Sequence, residues 1–259
     1  MKAVTSHSTP KSRRSSKTRM LKLLTHSTPW ILSCLLFSIC GSYQAWAQSK
    51  QPSDAVQAYR LCATFQHLLG EDLDFGRAYE ATFARNTARR RAIAIKDGEF
   101  DDADLTNVDD VTIINAYKSR MQLFYLMLPL AGPDSNEEAA LFFPPQIKQI
   151  FNRKGPDDPK EFAAFASQLN RDVLQFREHM DRLAARYPTV AERIRRFKTE
   201  MLSVQSTPPK NFKVEPQQNP YDGPVVHKDE KYYEMEGYTV IREGSEMRIV
   251  GIRFFTRLF

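Results

Sequence analysis

The chain predicts a mainly α protein: a helical bundle, then a proline-rich strap, then a C-terminal β-hairpin. Three observations predict it. Apolar residues recur at spacings of three and four from about Ser53 to Ser203, the period of helices with one buried face. Pro208, Pro209, Pro216, Pro220 and Pro224 then fall in a stretch with Lys, Asn and Gln and almost no apolar residue in helical register. Beyond it, YYEMEGYTVIREGSEMRIVGIRFF is dense in Tyr, Val, Ile and Phe, residues that suit a pleated, half-buried surface. The organisation that follows is a leader over 1–47, a bundle domain over 48–205, a strap over 206–228 and a hairpin segment over 229–259.

The leader is the most specific signal. Trp30 to Cys40 is apolar over about a dozen residues, within the range of a signal-peptide core and short of the roughly twenty that span a bilayer. Ala45 and Ala47 put small side chains where a signal peptidase requires them, so cleavage before Gln48 is expected. Lys2, Lys11, Arg13, Arg14, Lys17, Arg19 and Lys22 make a long basic region ahead of it, and Met20 is an alternative start that would shorten the leader. The Arg13-Arg14 pair runs into Ser15, Ser16 and Lys17 rather than apolar residues, which argues against twin-arginine export. An uncleaved anchor is the rival, since Trp30 to Ala47 is long enough for a thin membrane. On either reading the bulk of the chain is exported, periplasmic or extracellular, and meets membrane only through this segment.

Removing the leader changes the charge argument. The full chain carries a net +6, but residues 1–47 hold seven Lys/Arg and no Asp/Glu, leaving thirty basic against thirty-one acidic residues. The mature chain is close to neutral and gives no reason to expect nucleic acid as a partner. Cys34 and Cys40 leave with the leader, so Cys62 alone remains and no internal disulfide forms. Among Tyr59, Leu61 and Phe65 it reads as a packed thiol.

Along the chain, Ser53 is the expected cap of a first helix presenting Ala58, Leu61, Phe65 and Leu68, with Gly70 as its stop. Helices are expected over Phe75 to Phe83 and Ala88 to Lys96, the second stopped at Asp97-Gly98. A further one follows Thr106-Asn107-Val108-Asp109 and ends at Pro129. Its segment MQLFYLMLPL is apolar all round and, at ten residues, too short for a bilayer, so it is expected at the centre of the fold. Phe142-Phe143-Pro144-Pro145 reads as a corner, one proline stopping a helix and the next opening one. Phe162, Phe165, Leu169, Val173, Phe176, Met180 and Leu183 form the clearest seam, on a helix that Pro188 breaks. In the hairpin, Glu243-Gly244-Ser245 is the turn and both strand faces are apolar, so it must dock on the helices, extend another sheet or meet a partner.

No sequence pattern specifies a chemistry. HExxH, GxSxG, phosphate-loop and dinucleotide fingerprints do not occur, and no cofactor is expected. Asp97, Glu99, Asp101, Asp102 and Asp104 supply oxygen ligands, but a calcium loop needs glycine where Asp102 stands and glutamate near Val108, so a solvated turn is the better reading. Cys62 and His67 lie about 140° apart around a helix and do not form a nucleophile pair. The arginine clusters at Arg85, Arg89, Arg90, Arg91 and at Arg193, Arg195, Arg196 are expected as solvated faces balanced by acids. At the C-terminus, counting back by twos from Phe259 puts Arg257 and Arg253 on one face, which argues against an outer-membrane barrel strand.

The expected function is a non-catalytic interaction protein of the cell envelope, with another envelope protein or a second copy as partner. Tyr238, Val240, Ile249, Ile252, Phe254 and Phe255 are the candidate contact residues on an apolar hairpin. The alternative is an enzyme or small-ligand binder with a pocket between helices, using dispersed groups such as His67, Glu71 and His179.

Overall fold

The first described helix begins where a serine hydroxyl replaces a missing backbone partner. In this computed structural model, which describes residues 52–252 apart from 101–104, 152, 154, 157 and 236, Ser53 Oγ accepts from Val56 N–H at 3.4 Å and opens α1, Asp54–Asp72. The leader with Ala45, Ala47 and Gln48, and the C-terminal Phe254 and Phe255, lie outside the described residues.

Asp74 caps α2 (Phe75–Thr82), Asn86 caps α3 (Thr87–Asp97), Asp109 caps α4 (Asp110–Met127), and Ser135 caps α5 (Asn136–Phe142). Each accepts a hydrogen bond from a first-turn N–H that has no partner inside the helix. Pro145 opens α6 (Pro145–Phe151), so the double proline separates two helices as its chemistry requires. Asp158 then caps α7 (Pro159–Arg186), and Pro188 opens α8 (Pro188–Ser203). All seven residues of the α7 seam are buried. None of the described helices is long and apolar enough to cross a membrane.

Gly70 corrects the sequence reading. It does not stop α1, which runs two residues further, to Asp72. A side chain at position 70 would meet Met201 Cβ at 2.9 Å and Lys198 O at 3.1 Å, so glycine is what lets α8 cross α1 closely. The left-handed cap falls instead on Leu73 (φ 56°), whose N–H donates to Leu69 O at 2.8 Å. Gln122 fixes this junction from within the core. Its Oε1 accepts from Phe75 N–H at 2.8 Å and its Nε2 donates to Leu73 O, satisfying two buried main-chain groups at the α1–α2 junction.

The C-terminal part forms a four-stranded antiparallel sheet rather than a lone hairpin. Strands β1 (Gln217–Gln218), β2 (Lys231–Met235), β3 (Tyr238–Glu243) and β4 (Glu246–Ile252) lie in sequence order. The pairing Tyr233↔Val240 and Val240↔Ile249 puts these side chains on one face, with Tyr238 opposite Met235 on the same face. A bulge at Thr239/Val240 leaves Val250 as the extra residue of β4. The outer edge of β4 is occupied by the helical part: Ile249 O accepts from Ala84 N–H at 3.1 Å, Arg248 Nη1 donates to Ala81 O at 2.9 Å, and Asp97 Oδ2 accepts from Ile252 N–H at 3.2 Å.

Helices and sheet share one hydrophobic core. Phe65 sits at its centre, with ring centroids 5.6 Å from Tyr238, 6.0 Å from Phe75 and 6.1 Å from Tyr125. Of the three fates open to a two-faced apolar hairpin, docking on the chain's own helices is the one observed.

Candidate functional site

The sheet has a second face. Residues Tyr232, Glu234, Thr239, Val250 and Gly251 floor a cavity of about 580 Å³, with Lys96, Asp97 and Glu99 at the end of α3 as one wall. Residues 219–226 roof it, Val225 and Val226 packing inward while Tyr221 remains 78% exposed. Its charged lining residues are Asp97, Glu99, Glu234 and Lys96, set among Val225, Val226, Val250 and Ile252. Glu99 is also bound by Arg120 at 2.7 Å, Thr239 Oγ1 donates to Glu234 at 3.3 Å, and Asp97 holds the Ile252 amide. The local fold, not a binding motif, thus sets the positions of these acids.

The roof is anchored at its base by a buried arginine. Arg89 Nη2 reaches both oxygens of Glu230 at 3.1 Å, its Nη1 lies 3.8 Å from Glu243, and its side chain is only 8% exposed. Glu243 in turn accepts from the N–H groups of Arg85 (2.6 Å) and Asn86 (3.2 Å), tying the β3 terminus to the start of α3. The expectation that this arginine cluster is a solvated face therefore fails for Arg89. It fails in part for Arg90 and Arg91, which hold Glu80 (2.7 Å) and Asp110 (2.7 Å) while partly buried.

A second depression of about 530 Å³ lies between α4 and α7, lined by Thr112, Asn115, Ser119, Ser167 and Asn170 above Gln122 and Val173. Amide and hydroxyl groups alternate there with Ala163, Ala166 and Val173, and Asp74 and Lys118 also line it. None of the residues proposed from sequence for a helical pocket lines either space. His67 Nε2 is 2.6 Å from Val204 O, Glu71 pairs with Arg77 at 2.6 Å, and His179 Nε2 is 2.9 Å from Phe142 O, so each stabilises a different junction. Cys62 is buried as expected. Among the described residues no group of three or more His, Cys, Asp and Glu is placed to hold a metal ion, and Asp101, Asp102 and Asp104 fall outside them.

Of the contact residues expected on the hairpin, the four described lie in the core: Tyr238, Val240, Ile249 and Ile252 are each under 5% exposed. Tyr238 also accepts from Gln66 Nε2 at 3.3 Å. Sequence reasoning placed the contact on the strands but on the face that the helices cover. Burial also governs the phenols of the core. Tyr117 and Tyr125 titrate well above the ordinary tyrosine range because they are desolvated, and Tyr79 is raised for the same reason against the opposing effect of Arg90.

No family model matches the chain, and neither a curated protein nor a solved structure matches it.

Proposed function

We propose that the chain is an exported, non-catalytic interaction protein of the cell envelope. In this reading the leader is cut before Gln48, the helices act as a bundle, and residues 206–228 act as a strap over the sheet. The partner is another envelope protein that inserts a basic, apolar-flanked segment into the cavity beneath the strap. The observation supporting this is the pairing of valine walls with Asp97, Glu99 and Glu234 in one roofed space.

The test is a titration of the protein with fluorescent peptides that alternate Arg or Lys with apolar residues, against the same peptides carrying Glu. Preference for the basic series, weakening with salt and falling roughly tenfold in Glu234→Gln, is expected. Equal binding of both series, or binding of neither, contradicts the reading. Sequencing the amino terminus of the exported protein tests the leader: a start at Gln48 is expected, and an intact Met1 or Met20 contradicts cleavage.

A second reading, small-ligand binding between helices, is favoured by the groove between α4 and α7. There the amides of Asn115 and Asn170 and the hydroxyl of Ser119 line the surface with no protein partner among the described residues. A small molecule retained in native mass spectra of wild type and lost in the double variant Asn115→Ala, Asn170→Ala supports it, and retention in both overturns it.

A further inference from the structure

We infer that residues 219–229 are a lid that lifts as one unit over the sheet cavity, fixed at its base by Arg89 and held at its tip only by two valines. The loop is closed on itself. Asn219 Nδ2 donates to Val226 O at 2.7 Å, Asp229 N–H to Asn219 O at 2.9 Å, Tyr221 N–H to Asn219 Oδ1 at 3.3 Å and Lys228 N–H to Asp222 Oδ1 at 3.3 Å. Among the described residues, every hydrogen bond made by residues 220–226 returns to the loop itself. Among the described residues, only His227 bonds the base, its N–H donating to Glu230 Oε2 at 3.0 Å and its carbonyl accepting from Glu230 N–H at 3.1 Å, so lifting the tip costs the packing of Val225 and Val226 and strains at most these two bonds beside the hinge.

The base behaves oppositely. Gln217 and Gln218 pair with Tyr232 and Lys231, and Glu230 cannot leave without depriving the buried Arg89 guanidinium of both its short contacts, leaving Glu243 at 3.8 Å. The hinges then fall at Asn219 and at Asp229, which holds a left-handed φ of 61°. Opening is a local event of low free energy, distinct from unfolding. This deepens the binding reading without depending on it: Glu234 is half-exposed with the lid down, and a partner segment seated beneath residues 219–226 would bind in proportion to the open fraction.

Thiol labelling separates the two events in the full chain. Val250→Cys places a thiol on the cavity floor, where the native residue is 2% exposed, and native Cys62, 7% exposed, reports opening of the core. With iodoacetamide and site-resolved mass spectrometry, Cys at 250 is expected to label at least about tenfold faster than Cys62. Adding Val226→Ser should accelerate it roughly tenfold again, equivalent to about 1.4 kcal/mol, with the Cys62 rate and thermal midpoint unchanged. Equal rates at the two sites, or acceleration of both together, overturns the lid. Thr239→Cys on the same floor serves if the first variant does not fold. No partner is present, so failure here and failure of peptide binding are read independently.

Discussion

The two faces of the C-terminal sheet are built from alternate residues of the same strands and serve opposite ends. One face sends Tyr238, Val240 and Ile249 into an aromatic core around Phe65. The other presents Tyr232, Glu234 and Thr239 to a roofed space with mixed polarity. Period-two alternation makes the division possible, and the bulge at Thr239/Val240 lets β4 bury residues on both sides of it. A single strand thus stabilises the fold and shapes a surface, and substitutions one residue apart should act on different properties.

The largest effect is expected from removing the inner face altogether. Because the core is continuous from α1 to β4, deleting residues 206–259 should leave a chain without a cooperative unfolding transition by circular dichroism. A folded, cooperative remainder would show that the helices stand alone. The point substitution Tyr238→Ala should cost about 3–5 kcal/mol in denaturant titration. Arg89→Met comes next, at about 2–3 kcal/mol, below the usual figure for a broken buried pair because Glu230 keeps 20% of its side chain in solvent. Gly70→Ala should cost about 1–3 kcal/mol by forcing α8 away from α1.

A pH effect follows from the core phenols. Tyr117, Tyr125 and Tyr79 bind protons more tightly folded than unfolded. Stability from this source is fully present below the unfolded value of about 10 and falls as pH rises toward the folded values. Tyrosinate formation at Tyr117, Tyr125 and Tyr79, resolved site by site by NMR, should therefore coincide with loss of helical signal above pH 10, whereas ionisation of these three before unfolding would contradict their burial. On the acid side, Asp54 is held below its usual pKa by Arg242, so its smaller contribution is lost as pH falls below about 4. The smallest expected effect is Thr239→Ala, within about 0.5 kcal/mol.

Much of this was legible in the sequence where one periodic signal dominated. The α7 seam, the cap at Ser53 and the proline corner are local patterns, and the structure shows each in place. What escaped was set by contacts between distant residues. Gly70 looks like a stop until α8 crosses it, and Arg89 looks like any other member of its arginine cluster until Glu230 returns across the fold, 141 residues later. Strand β1 is two glutamines, with no apolar alternation to announce it. The cavity draws on α3, the connecting loop and three strands, so no contiguous stretch encodes it. Which face of the hairpin meets the helices depends on register and on the bulge, and composition is nearly symmetric between the two faces.

The most direct measurement is made on Thr239→Arg, which sets a cation into the acid-lined cavity without touching the inner face. An unfolding midpoint close to wild type and affinity for the basic peptide reduced at least about tenfold are expected. Unchanged affinity in a stably folded variant would contradict the cavity as the contact site, and a collapse in stability would contradict the separation of the two faces.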